Sequence, residues 1–299
     1  MTGQWIAVDW GTTNFRAFLM SESGDCLDTI QAPKGLLSVK HQQFPEEFDG
    51  LIHHWTKSHG PLPVIMAGMV GSQQGWREVP YLPAPATISD IAQGSKAVTL
   101  LSGIQAKIVA GVLCQNVFGH PDVMRGEEVQ LVGLSDQLQQ DFTAILCGTH
   151  SKHAVWKNDQ LMHFSTVMTG ELYSVLTSHS LLGKALPEQE PDEAVFNKGL
   201  DIGISHPLNH ILFSARSFRL TKDIKEAHVH SYISGLLIGH ELSKIDEQEE
   251  VHLVGSKGLS NRYSNALSYL NIRHQIHDGD QCFLKGMTTI YNSENCNEH

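Results

Sequence analysis

Ile6-Ala7-Val8-Asp9-Trp10-Gly11-Thr12-Thr13-Asn14-Phe15-Arg16-Ala17-Phe18-Leu19 is an apolar run that stops on one acid, turns through Gly-Thr-Thr-Asn and returns as a second apolar run. The pattern predicts a β-hairpin with a carboxylate and a cluster of small donors at its tip. Successive backbone N–H groups with Thr hydroxyls and an Asn amide make a concave donor set that suits phosphate. Asp9 falls at the C-terminal end of a strand, where open α/β sheets place their ligands. Its carboxylate suits Mg²⁺, which keeps most of its waters and takes few protein oxygens. For one hairpin alone, the simpler reading of an Asp capping a tight turn is preferred.

Residues 143–166 tip that balance. Thr143-Ala144-Ile145-Leu146-Cys147 reads as a strand, Gly148-Thr149-His150-Ser151 as a turn, Lys152-His153-Ala154-Val155-Trp156 as a returning strand, and 161–166 as a third. This repeats the three short strands between residues 5 and 31, with Gly11-Thr12 matching Gly148-Thr149 and Arg16 falling near Lys152. A long internal repeat implies two similar halves, 1–141 and 142–299, and a ligand cleft between them. The echo lacks the acid, because no carboxylate stands in Leu146-Cys147-Gly148-Thr149-His150.

The rest of the first half predicts a helix over 45–58, a buried strand over 63–67, a long Gly- and Pro-rich loop over 68–85, and strands near 97–101 and 107–112. The second half is more helical, with helices over 170–182, 192–202, 207–218 and 227–242. A strand over 250–254, a helix from 260, a last strand over 269–275 and a helix over 280–291 close the chain. Gly235 and Gly239 sit four apart in an apolar helix and predict close core packing, since the motif has no membrane meaning in such a context.

Composition limits the function. The chain has 299 residues, 41% hydrophobic and 18% charged, with a formal net charge of −11, which argues against nucleic acid as a partner. No apolar run approaches the ~18 residues of a membrane helix, and the N-terminus shows no secretion signal. Cys26, Cys114, Cys147, Cys282 and Cys296 are scattered and odd in number, as in a reduced cytoplasmic protein. The P-loop, G-x-G-x-x-G, H-E-x-x-H and G-x-S-x-G patterns are all absent. The 18 histidines show no pairing with Cys or acids that would predict zinc.

Two more segments carry candidate chemistry. In Met124-Arg125-Gly126-Glu127-Glu128, two adjacent acids follow a glycine. Phosphoryl transfer to a hydroxyl needs a carboxylate to take the proton, and either Glu127 or Glu128 suits. Equally, acids in the first turn of a helix suit the macrodipole. Gly255-Ser256-Lys257-Gly258 lies between a strand and a helix, where backbone passes close to a nucleotide.

Together with Met66-Ala67-Gly68-Met69-Val70-Gly71-Ser72 and Thr166-Val167-Met168-Thr169-Gly170-Glu171-Leu172, these motifs resemble, in order and along the whole chain, the 2-dehydro-3-deoxygalactonokinase family of the actin-like ATPase superfamily. The resemblance implies an α/β fold of two actin-like (ribonuclease H-like) domains with a central interdomain cleft: a substrate and phosphate-binding domain, then a nucleotide-binding domain. It implies ATP-dependent phosphorylation of 2-dehydro-3-deoxy-D-galactonate at its C6 hydroxyl in D-galactonate catabolism, with ATP and Mg²⁺ as cofactors and a small sugar acid as the partner. Asp9 would hold the metal. Gly11, Thr12, Thr13, Asn14, Gly148, Thr149, His150, Ser151, Lys152, Gly255 and Ser256 would surround the nucleotide. Gly126-Glu127-Glu128 also resembles the segment that carries the catalytic Glu in exopolyphosphatases, which places Glu127 first and Glu128 second as the base. Gly68, Met69, Gly71, Ser72, Arg16, Arg77 and Arg125 are candidates for the sugar acid, whose carboxylate calls for a fork-shaped donor; Arg77 reads nearly as well as a plain surface residue. The alternatives are a phosphohydrolase, a nucleotide-gated binding protein, and a kinase for the C4 epimer.

Overall fold

The computed structural model describes residues 3–40, 43–245 and 250–295. In the first part of the chain the elements are β1 (Trp5–Trp10), β2 (Phe15–Met20), β3 (Cys26–Ala32), α1 (Phe44–His59), β4 (Val64–Ala67), β5 (Leu82–Pro83), β6 (Ala86–Thr87), α2 (Ile88–Gly94), β7 (Lys96–Thr99), β8 (Gln105–Ile108), β9 (Val112–Gln115), β10 (Pro121–Met124) and α3 (Glu127–Leu138). There follow β11 (Phe142–Leu146), β12 (Ser151–Lys157), β13 (Gln160–Val167), α4 (Thr169–His179), α5 (Glu193–Ser205), α6 (Leu208–Ile211), α7 (Ser214–Leu220), α8 (Val229–Leu242), β14 (Val251–Gly255), α9 (Lys257–Tyr269), β15 (His274–Asp278) and α10 (Gly279–Asn295).

The contacts group the chain into two compact units. One takes residues 1–141, 155–164 and 279–299; the other takes 142–154 and 165–278. In the first unit a sheet runs in the order β3-β2-β1-β4-β8-β7, with β1–β2–β3 antiparallel and β4 and β8 parallel to β1. A second six-stranded sheet runs in the order β15-β14-β11-β12-β13-β6, with β14 parallel to β11 and β15 parallel to β14. Strand for strand, β11-β12-β13 takes the place of β1-β2-β3, and β14 and β15 that of β4 and β8. The repeat read from two Gly-Thr turns is therefore a repeat of topology.

Burial explains the local choices. In the first unit the sheet and α1 enclose Trp10, Phe15, Phe44, Phe48 and Trp55, all almost fully buried. Trp10 meets Phe15 edge-on at 5.0 Å and Phe44 at 5.3 Å, which fixes the strand end beside Asp9. In the second unit, Gly199 and Gly203 of α5 face the backbone of α8, and Gly235 and Gly239 of α8 face that of α5; a Cβ at any of the four would strike a carbonyl. The core role expected of Gly235 and Gly239 is this backbone-to-backbone crossing. The first unit has a counterpart: Gly133 of α3 abuts the Cys282 carbonyl of α10, and Gly286 of α10 abuts that of Val129.

Three local readings differ from the structure. The expected strand over 269–275 starts later, at His274, because α9 runs on to Tyr269 and the chain then turns at Asn271, φ +59°. The expected helix over 207–218 is two short helices, α6 and α7. A small sheet, β10-β9-β5, went unread because its strands have only two to four residues. Cys26, Cys114, Cys147 and Cys282 are free thiols, and Cys296 lies outside the described residues. Among the described residues no helix is long and apolar enough to cross a membrane.

Candidate active site

Asp9 lies one residue before the end of β1, paired across the hairpin with Arg16 of β2. Arg16 donates to Asp9 Oδ2 from Nε at 3.1 Å and from Nη2 at 2.7 Å, and its Nη1 reaches Asp280 at the start of α10. Burial opposes the charge on Arg16, but Asp9 and then Asp280 outweigh it and raise its pKa further. At the tip, the Gly11 N–H donates to the Asn14 carbonyl at 2.9 Å. The carbonyls of Gly11, Thr12 and Thr13 are engaged from behind by the N–H groups of Leu36, Leu37 and Gly35. Thr12, Thr13 and Asn14 stay exposed. Asp9, Gly11, Thr13, Asn14 and Arg16 line a cavity of about 570 Å³. Its donor set of carboxylate, hydroxyl and amide oxygens is hard, as Mg²⁺ requires, and Asp9 keeps Oδ1 outside the Arg16 pairing.

Two glycines bring the next candidates to this point. β4 runs parallel to β1 with Ala67 beside Asp9, and the chain leaves it at Gly68 with φ +94°. A Cβ on Gly68 would lie 2.9 Å from the Trp10 carbonyl and 3.3 Å from Asp9 Oδ1, so only glycine fits. Gly126, φ +112°, packs in turn on Gly68, since its Cβ would lie 3.4 Å from the Gly68 Cα. Asp9, Gly68 and the start of α3 are thereby stacked.

The two glutamates at that helix start have different surroundings. Glu127 is half-buried and accepts from the Arg125 N–H at 3.0 Å. Glu128 has no exposed surface and turns back on the Gly126 N–H, 2.7 Å from Oε2 and 2.9 Å from Oε1. Burial, and then the neighbouring Glu127, push the Glu128 carboxyl up to about 8. Glu128 is thus a neutral, enclosed group at pH 7, whereas Glu127 retains access to solvent.

The three candidate arginines also separate. Arg16 is committed to Asp9 and Asp280. Arg77 is exposed and donates to the Ala97 carbonyl. Arg125 is buried, with its guanidinium 4.3 Å from the centre of the Tyr81 ring and Nη2 donating to the Val79 carbonyl at 2.7 Å. Among the described residues its Nε and Nη1 have no hydrogen-bond partner, and neither has the buried Ser72 Oγ. Met69–Gly71 form a single helical turn, and a Cβ on Gly71 would lie 2.8 Å from Arg125 Nη1.

In the second unit, Gly148-Thr149 follows β11 and Gly255-Ser256 ends β14, so both turns stand at the C-terminal ends of adjacent parallel strands. A Cβ on Gly255 would lie 2.9 Å from the Cys147 carbonyl. The first turn of α4 backs the Gly148-Thr149 turn: the Glu171 N–H donates to the Thr149 carbonyl at 2.9 Å, and a Cβ on Gly170 would lie 2.5 Å from the Gly148 carbonyl. His150 pairs with Glu171 at the surface. Ser151 and Lys152 are buried on β12, with Lys152 Nζ donating to Thr166 Oγ1 at 2.8 Å.

The sequence reading missed two neighbouring cavities, one of which reaches this turn. Gly148, Gly170, Tyr173, Ser234, Arg262 and Tyr263 line a narrow one. Tyr173, Ser234 and Arg262 also line a larger one of about 350 Å³, which Gln189, Glu190, Asp192, His230 and Asn265 extend. Arg262 lies 6.0 Å over the Tyr173 ring, and His230 meets that ring edge-on at 5.9 Å. Burial, and then the charge of Arg262, lower the His230 pKa. These residues come from α4, α8, α9, the Gly148 turn and the segment before α5 and form no motif, so sequence spacing carried no signal for them.

Comparison with known proteins identifies the family. A family model described as 2-keto-3-deoxy-galactonokinase matches residues 9–290. The chain is 34% identical to the 2-dehydro-3-deoxygalactonokinase of Escherichia coli (strain K12), over 97% of this chain and 98% of that one. It is 33% identical to a Rhizobium meliloti (strain 1021) protein that carries the same enzyme name, over 96% of each. A solved Sinorhizobium meliloti protein, also described by that name, superposes with a TM-score of 0.87 at 29% identity, covering 98% of this chain and 99% of that one. The fold extends to the Clostridium difficile activator of 2-hydroxyisocaproyl-CoA dehydratase, with a TM-score of 0.51 at 10% identity over 99% of this chain and 97% of that one. With its duplicated sheets and a match over nearly its full length, the chain belongs to the 2-keto-3-deoxy-galactonokinase family.

Proposed function

We propose that this protein transfers the γ-phosphoryl group of ATP to the C6 hydroxyl of 2-dehydro-3-deoxy-D-galactonate, as a cytoplasmic step of D-galactonate breakdown. The observation that supports the reading is the stack of Asp9, Gly68 and Gly126, in which a carboxylate lies beside the Gly11–Asn14 turn and next to a helix that begins with Glu127.

Glu127 accepts the proton of the attacking hydroxyl, because it is the more accessible of the two acids. Asp9 would hold Mg²⁺ through Oδ1 and water, with Arg16 fixing the carboxylate; when bound, the ion offsets charge on the phosphates. In the first unit Thr12, Thr13 and Asn14 are the donors suited to phosphate oxygens; in the second unit the Gly148-Thr149 and Gly255-Ser256 turns are. The cavity around Tyr173, His230 and Arg262 receives the adenosine, since its volume and mix of apolar and polar lining suit a ligand of that kind. Arg125 takes the sugar-acid carboxylate, because its buried Nε and Nη1 have no partner among the described residues, whereas Arg16 is committed to Asp9 and Asp280. The loop carrying Gly71 covers those donors and must shift to admit it. Catalysis then rests on positioning and charge compensation.

The test is ADP release by purified protein, measured with and without sugar acid and with both C4 epimers. Release that depends on the galactonate-derived acid supports the reading. Sugar-independent release of phosphate points to a phosphohydrolase, and preference for the other epimer reassigns the substrate.

A further inference from the structure

Glu241, on α8, is a buried carboxylate that the proposed reaction does not use. Its side chain has no exposure. Oε1 accepts from Ser151 Oγ at 2.6 Å and from His153 Nε2 at 2.7 Å, and Oε2 accepts from Tyr263 Oη at 2.6 Å and from Thr169 Oγ1. An ionised carboxylate offers about four lone-pair sites, and here each has a protein donor.

The four donors are not scattered. Ser151 is the first residue of β12, directly after the Gly148-Thr149 turn. Thr169 is the first residue of α4, the helix whose next two residues touch that turn from behind. Tyr263 belongs to α9, which starts after the Gly255-Ser256 turn. One carboxylate therefore ties the exit of one turn, the helix that backs it and the helix that follows the other turn.

We infer that Glu241 is a positioning residue for the nucleotide phosphates: it sets the shape of the Gly148-Thr149 turn through Ser151 and Thr169 without touching ATP. The inference rests on the reading of that turn as a phosphate site. Burial alone would push the carboxyl up, but the His153 hydrogen bond and charge and the two hydroxyls outweigh it and keep Glu241 below the usual carboxylate range. Burial and the Glu241 charge raise the Tyr263 hydroxyl well above its ordinary value, so it stays a donor. Charge-assisted bonds of this kind are the strong ones, and removing an acceptor among buried donors leaves them unmatched.

The variants are Glu241→Gln and, as a milder change, Thr169→Val. Each is read by calorimetric titration with ATP, by KM for ATP and for the sugar acid, and by thermal unfolding. The amide of Glu241→Gln faces two donors with N–H instead of oxygen. A misplacement of about 1 Å at a binding turn costs up to ~10²-fold, so ATP binding is expected to weaken on the order of tenfold or more while KM for the sugar acid changes less than about twofold. Thr169→Val should shift ATP binding in the same direction and still fold. If both variants bind ATP as the parent does and only their melting temperatures fall, the group is merely structural and the inference fails. Weakening of both substrates alike also overturns it. Absence of ATP binding by the parent protein removes the phosphate site itself, and the kinase reading with it.

Discussion

Arg16 grips Asp9 with two parallel N–H bonds to a single oxygen, from Nε and Nη2, and so leaves Oδ1 turned toward Gly68. The pairing fixes the rotamer of the carboxylate proposed to hold Mg²⁺. Asp9→Asn keeps the shape and removes the charge. It should lower kcat on the order of 10²–10³-fold, the size of a lost electrostatic group at a transition state, with an unchanged far-UV spectrum and melting curve. Activity near the parental level would remove Asp9 as metal anchor.

The adjacent glutamates should part cleanly. Glu127→Gln is expected to lower kcat by roughly 10²–10⁴-fold, the range for a general base, with KM for ATP little changed. Glu128→Gln should stay within a few-fold of the parent, because the amide oxygen can still accept from the Gly126 N–H and the native carboxyl is already neutral at pH 7. Steady-state kinetics of the two purified variants decide between them; a reversed pattern moves the base by one residue.

Glu128 also sets a pH dependence of stability. The folded state holds a proton up to about pH 8, whereas the unfolded chain releases it near the ordinary value of 4.5. The contribution of this group is therefore full below about pH 4.5, falls as pH rises, by up to ~1.4 kcal/mol per unit, and levels off above about pH 8. Glu128→Gln removes the slope. Melting temperatures of parent and variant should diverge in favour of the variant between pH 5 and 8; a constant difference across that window would sink the assignment.

The larger cavity of the second unit predicts a nucleotide-specific phenotype. Arg262→Ala removes the group over Tyr173 and one wall of the cavity, and should raise KM for ATP about tenfold, in line with a lost cation–π contact and its packing, worth ~0.5–2 kcal/mol. KM for the sugar acid should hold. A change in the sugar-acid KM alone would show that the cavity serves a different ligand.

Helix contact is the last case. Gly133→Ala places a methyl group against the Cys282 carbonyl, and overpacking of that kind costs about 1–3 kcal/mol. Chemical denaturation should show a lower midpoint, while residual kcat at low temperature stays near the parental value. An unchanged midpoint would mean that α3 and α10 separate freely.

What the sequence disclosed follows from range. The hairpin at Asp9, its echo at Gly148 and the Gly126-Glu127-Glu128 segment are local patterns, short apolar runs beside turn residues or paired acids a few positions apart, so they could be read directly. The acid-poor echo also pointed the search for a base toward Glu127 and Glu128. The Tyr173–His230–Arg262 cavity and the four donors on Glu241 unite residues separated by up to ninety positions, and spacing has no period for that. The different roles open to Glu127 and Glu128 depend on burial, which adjacent identical letters cannot convey. The true start of β15 depended on how far α9 ran, where Tyr269 Oη donates to Asp201 at 3.0 Å rather than opening a strand.

The return of α10 to the first unit has a temporal meaning. Trp5 stacks on Tyr291 at 4.4 Å, Phe18 lies 6.1 Å from Phe283, and Arg16 pairs with Asp280. On the ribosome, β1 and β2 emerge well before the helix that covers them, which arrives only after residues 142–278 have been made. The unit that carries Asp9 is begun before the second unit and completed after it, so the sheet face that α10 covers waits while the second unit is made.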